Sequence, residues 1–183
     1  MEILVVLGVF ATISVAVADL FMLSSRAERR ASALQKTQAD ARTALGLMTT
    51  MIRKSQVAYS EMPVIANPLG ELAIESANGT ITKFSKSSDP QKCGSSPAPC
   101  LLITSSDPGG SVSAPFTPQG LAVEDLKFYL TPAVDPFYYD PLSGTYAANS
   151  QPTVTIALSL IPTGKSEQRI AAQTTVTART YER

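Results

Sequence analysis

The sequence predicts an α+β protein in which one long N-terminal helix, transmembrane in its first half and amphipathic in its second, packs on an antiparallel β-sheet. Three observations carry this. All thirteen prolines fall in residues 63–183 and none in residues 1–62, so only the first part can be helix without interruption. From Ile3 to Leu23 the only charge is Asp19. Beyond residue 62 the chain turns to short segments of alternating apolar and polar residues separated by turn signals, which is the period of strands. The expected division is therefore 1–25 for the membrane segment, 26–62 for the amphipathic continuation of the helix, and 63–183 for a β-rich domain.

At about 1.5 Å per residue, the run from Ile3 to Leu23 covers about 31 Å, the thickness of a bilayer core. A secretory signal peptide has a shorter apolar core, a basic start and a small-residue cleavage site, and none of these is seen here. The exception at the front is Glu2, a carboxylate heading the apolar run. Hydrocarbon holds an ionisable group only when something compensates its cost, so Glu2 asks for a partner; the plain alternative is a solvated residue at a frayed chain start. The run is followed by RAERR, Arg26 to Arg30, a cluster suited to a membrane interface. The positive-inside rule alone puts that cluster in the cytoplasm.

The helical signal continues as a stripe. Leu34, Ala41, Leu45, Met48 and Ile52 recur at helical spacing, with Arg42, Thr49, Thr50 and Arg53 between them. A helix of about 58 residues would span about 87 Å if unbroken. The stripe is too short in heptads for a coiled coil and reads as a face packed on a neighbouring sheet.

In the remainder, ELAIESANGTITKFSK places Asn78-Gly79 between two β-prone segments, the signature of a type I′ hairpin. Asn78-Gly79-Thr80 also matches a glycosylation sequon, which the turn accounts for without glycan. CLLITS, LAVEDLKFYL, PTVTIALSLI and RIAAQTTVTARTY are further strand candidates. In the last two, Val154, Ile156, Leu158 and Leu160, and then Ile170, Ala172, Thr174, Val176 and Ala178, mark one covered face. The striped helix is the natural cover.

Composition excludes several functions. Fifteen basic residues balance fifteen acidic ones, which makes the chain a poor candidate for nonspecific nucleic-acid binding, a function that needs a basic face. The absence of histidine removes imidazole acid/base chemistry, a Ser-His-Asp or Cys-His arrangement and histidine metal ligation. Cys93 and Cys100, in DPQKCGSSPAPC, are too few for a zinc site. They read as a small disulfide ring outside the cytoplasm, against the alternative of two unpaired thiols. So short a loop gives about 2–3 kcal/mol in the chain-entropy model. Asp125, Asp135 and Asp140 are oxygen donors of the kind that bind calcium, but they form no dense ligand loop.

EILVVLGVFATISVAVADLF, QADARTALGLMTTMIRKSQ and then ANGTITKF, VEDLKFYL, QPTVTIALSL and IAAQTTVTARTY, in that order, resemble the bacterial type IV pilin and type II secretion pseudopilin superfamily, most of all its minor, low-abundance members. The resemblance covers nearly the whole chain and implies a pilin-like fold and a structural role in a pilus or pseudopilus. It implies that Glu2 pairs with the free amine of a neighbouring subunit inside the filament, a pairing in low dielectric that fixes axial stagger. It implies as partners other pilin or pseudopilin subunits, an inner-membrane assembly platform and a prepilin peptidase, with no cofactor and no enzymatic activity. It also places the RAERR end outside the cytoplasm, as the disulfide reading does. Some tip subunits lack the glutamate, so its presence implies a place beneath another subunit.

Two departures stand beside this. Members carry a basic leader and an apolar tetrad before the glutamate, whereas Met1 directly precedes Glu2; Met1 is expected to be an internal start, with leader and first mature residues missing. Many members have a disulfide near the C-terminus, whereas Cys93 and Cys100 lie in mid-domain, so the receptor-contacting role of that loop is not carried over. TPAVDPFYYDPLSGTY is the better candidate for a partner surface through Phe137, Tyr138, Tyr139 and Tyr146, the alternative being a loop that folds its aromatics onto the sheet. A single-pass anchored binding domain that never polymerises is the other functional reading.

Overall fold

The computed structural model describes residues 2–62, 67–118, 120–146, 150–163 and 169–178. Met1, and residues 179–181 of the expected last strand, lie outside the described residues. The chain forms two compact units, residues 1–38 and 39–183.

Helix α1 runs unbroken over Glu2–Arg53, 52 residues. Gly8 and Gly46 lie inside it, each costing about 1 kcal/mol against alanine, too little to break it. Thr49 and Thr50 fit because their hydroxyls donate to the carbonyls of Leu45 and Gly46, four residues back, at 2.7 and 2.8 Å. The helix ends sooner than the expected 62. Its last turn tightens, with Lys54 N–H donating to Met51 O and Ser55 N–H to Ile52 O, both at 3.2 Å. Strand β1 (Gln56–Val57) and a 3₁₀ turn, Tyr59–Glu61, follow. Val57, Ala58, Tyr59 and Met62 are all buried. Three consecutive residues point three ways around a helix, so only an extended and turned backbone sends them all into one core.

Strands β2 (Glu71–Glu75) and β3 (Ile81–Ser87) form the expected hairpin, with a different turn. Gly79 has φ +80°, but no described non-glycine residue has positive φ, so Asn78 does not adopt the type I′ conformation. Gly79 N–H donates to Ser76 O at 2.9 Å and Ser76 N–H to Thr80 O at 3.0 Å. This is a type I turn closed by a left-handed glycine, the three-residue alternative to I′.

A short helix α2 (Pro90–Cys93) comes next, capped by the Asp89 carboxylate, which accepts Gln91 N–H at 2.9 Å. Strands β4 (Cys100–Asp107), β5 (Gly110–Pro115), β6 (Leu121–Thr131), β7 (Tyr139–Asp140), β8 (Thr145–Tyr146), β9 (Thr153–Pro162) and β10 (Ile170–Thr177) complete the chain.

The described strands make two main sheets, not one. All pairings are antiparallel: β1-β2-β3-β4-β5 is a meander, β10-β9-β6 is a separate sheet, and β7-β8 is a two-stranded ribbon. The main sheets are stitched at β6. Leu69 and Phe128 exchange backbone hydrogen bonds at 2.7 and 2.9 Å, Val123 N–H donates to Pro99 O at 2.7 Å, and the Asn67 amide both donates to Leu130 O and accepts its N–H. The pairing slips between Val123 and Asp125, which leaves Glu124 as a bulge.

One core serves both sheets and the helix. Ala41, Leu45, Met48 and Ile52 are buried as the stripe predicts, joined by Ala44, while Leu34 is half-buried. They share a cluster with Phe84 and Leu101 of the first sheet and Phe128, Val154, Ile156 and Leu160 of the second.

Candidate functional site

The first candidate is the start of α1. Its apolar part is exposed on every side: Ile3, Phe10, Ile13, Val17 and Phe21 are each more than half exposed, and none of the apolar window is buried. The helix is long and apolar enough to cross a membrane. A helix apolar all round and unburied by its own chain is suited to hydrocarbon or to other such helices. The Thr12 hydroxyl in mid-run is satisfied by donating to Val9 O at 2.8 Å, as suits a low-dielectric surrounding.

Glu2 lies in the first turn, exposed. The partial positive charge of a helix N-terminus favours a carboxylate there. No cation among the described residues pairs with it. The first cation along the chain is Arg26, about 36 Å up the helix axis. Any cationic partner of Glu2 therefore lies beyond the described residues.

The second candidate is the β7–β8 ribbon. Tyr139 and Tyr146 face each other across it with ring centroids 5.4 Å apart at 64°, an edge-to-face pair. Tyr138 and Leu142 are exposed beside them, the latter at 97%. Phe137 is half-buried. The ribbon thus presents its three tyrosines outward and does not fold them onto a sheet. The turn is held by Asp140, whose carboxylate accepts Leu142 N–H at 2.9 Å and whose carbonyl accepts Gly144 N–H at 2.9 Å. The Leu142 amide first, then the Ser143 hydroxyl and amide, hold the Asp140 carboxyl below its ordinary value. Gly144 has φ +67°, a conformation side-chain-bearing residues rarely adopt.

The three aspartates considered for calcium are not brought together. Asp125 pairs with Lys127 at 2.8 Å, a hydrogen bond that lowers its pKa and raises that of the lysine. Asp135 accepts Phe137 N–H at 2.9 Å and Asp140 closes its own turn. Among the described residues no three acidic or cysteine side chains cluster.

Cys93 and Cys100 are bridged, with Cα atoms 5.7 Å apart. Both are fully buried and form a small cluster with Leu102, apart from the main core. Sequence reasoning missed one polar feature. The bulge at Glu124 lets its carboxylate reach Arg169 Nε at 2.6 Å and accept from Ser159 Oγ at 3.0 Å, beside a groove of about 310 Å³ lined by Asp125, Ala157, Arg169 and Gln173. A bulge leaves no trace in the alternation of LAVEDLKFYL other than two adjacent acids. Comparison with protein-family models, with curated proteins and with solved structures gives no match to this chain.

Proposed function

We infer that the chain is a structural subunit, of the minor pilin or minor pseudopilin kind, in a type IV pilus or type II secretion-like filament, where it helps to initiate or cap assembly. The observation that carries the reading is α1 itself. It begins with a carboxylate that has no partner among the described residues, continues as an apolar surface that its own chain leaves unburied, and ends as a stripe under a β-rich domain. A segment of this design is at home in a bilayer before assembly and among identical helices after it. In this reading the domain lies outside the inner membrane, in keeping with the bridged cysteines. The partners are other pilin-like subunits, the assembly platform and the prepilin peptidase, and the role is not catalytic.

The test is to shear surface filaments from cells producing the chain and identify their subunits by mass spectrometry. Finding the chain in the filament fraction supports the reading. Finding it only in membranes supports a second one, a single-pass anchored binding domain, which the outward-facing tyrosines of the β7–β8 ribbon favour.

A further inference from the structure

We propose that Asp19 of one copy of this chain pairs with Arg26 of a neighbouring parallel copy, so that adjacent α1 helices are staggered by one heptad. Asp19 is the one charge in the apolar run after Glu2, and an ionisable group at such depth requires a partner. Its own helix supplies none. The positions three and four residues away on either side are Val15, Ala16, Met22 and Leu23. Arg26 has the same need, since its neighbours at that spacing are Met22, Leu23, Arg29 and Arg30, the last two of like charge. Both side chains are exposed, and no ion pair among the described residues includes either.

At about 100° and 1.5 Å per residue, Arg26 lies within about 20° of the line through Asp19 and about 10.5 Å along it, beyond pairing reach on one helix. Gly8 and Thr12 fall on the same line, while Phe10, Val17 and Phe21 lie on the far side of the helix. The line that carries both charges is therefore clear of the run's two phenylalanines.

Copies inserted in one orientation pack in parallel. With no stagger, Asp19 would meet Asp19 and Arg26 would meet Arg26, both repulsive. A displacement of seven residues, about 10.5 Å, brings each Asp19 level with a neighbour's Arg26 and cancels both charges. The stagger repeats from copy to copy when the charged line faces the common axis of a bundle, so that each Asp19 reaches the neighbour on one side and each Arg26 the neighbour on the other. The inference rests on α1 being the assembly helix of the proposed function, and it names a register contact separate from Glu2.

The test uses the full chain in membranes, as two differently tagged copies, one with Ala16→Cys and the other with Leu23→Cys. Mild oxidation should cross-link the mixed pair, seven residues apart, and not the matched 16/16 or 23/23 pairs. Asp19→Asn should lower the mixed yield by about tenfold, as loss of a polar contact between membrane helices does. Exchanging the charges, Asp19→Lys with Arg26→Asp, should restore it. Matched pairs linking as well as mixed ones, or a yield indifferent to Asp19→Asn, would overturn the proposal. Because cross-linking is read in membranes, a chain absent from sheared filaments that still links at the seven-residue offset retains the pairing and loses the filament reading. A chain present in filaments that links only at matched positions does the reverse.

Discussion

Tyr139 and Tyr146 are direct partners in the β7–β8 ribbon, and their edge-to-face rings provide a cross-strand aromatic contact. A two-stranded ribbon is marginal alone in water, so such a pair matters locally out of proportion to its size. Replacing Tyr146 with alanine should cost the whole domain no more than about 1 kcal/mol. Amide exchange at residues 139–146 should nonetheless rise. Chemical denaturation and hydrogen exchange read the two effects separately.

The same ribbon should respond to acid. The folded-state pKa of Asp140 lies below the ordinary value of 3.8, so its contribution to the turn is present above that value and is lost as pH falls through the folded pKa. The Leu142 amide should show this titration by NMR, and Asp140→Asn should abolish it. An unchanged titration in the variant would assign the effect to another group.

Met48 is fully buried at the centre of the helical stripe. Met48→Ala should destabilise the domain by about 2–5 kcal/mol, the range for removing a large core side chain. Leu47→Ala, one residue away on the exposed side, should cost a few tenths at most. Equal effects would mean that the stripe is not the packed face.

The disulfide should be dispensable for the fold. It closes a short ring and sits in its own cluster with Leu102, so its removal should loosen residues 90–100 and lower stability by about 2–3 kcal/mol or less. Mass spectrometry with and without reductant checks the bond, and the melting of a Cys93→Ala, Cys100→Ala double variant checks the rest. Loss of all cooperative unfolding would contradict this.

Glu2 is predicted to act only in assembly. Glu2→Ala, expressed behind a prepilin leader, should reach the membrane at the normal level, because losing a charge makes residence in hydrocarbon cheaper. If the proposed filament role holds, its incorporation should fall by about tenfold or more, since a neighbour's amine would then lack its counter-charge. Glu2→Gln should fail almost as badly. Incorporation equal to that of the unaltered chain would remove Glu2 from the assembly contact.

Helix and strands were largely readable because their causes are local. Prolines confined to residues 63–183, the unbroken apolar run and the spacing of Ala41, Leu45, Met48 and Ile52 fix the helix whatever surrounds it. The alternation through Val154–Leu160 fixes a strand and its buried face. Three features escaped because their causes are distant or depend on a choice between near-equal options. The helix stops at Arg53 because Val57 pairs with Ile74, a contact only the folded core makes. The strands divide between two sheets because β6 pairs forward to β9 and not back to β5. The Asn78-Gly79 turn took the type I form over I′, a preference that the dipeptide alone does not decide. Helix α2 was different, since Asp89-Pro90 is a cap followed by proline at the first helical position and was there to be read. Among the site residues, the bridge between Cys93 and Cys100 was legible from spacing. For Glu2 neither the sequence nor the described residues supply a partner.

Among the described residues β10 is the outer strand of its sheet, and its eight residues, Ile170–Thr177, carry neither charge nor proline. Such an edge is an unguarded template for a further strand. For anyone handling the protein, concentration then matters more than heat, because edge-to-edge stacking starts from the native state and needs no unfolding. Gln173, exposed and facing away from the core, is the position for a remedy. A lysine there would set a charge beside every incoming strand while leaving Val176 and the packed face as they are, and copies stacking edge to edge would bring like charges together.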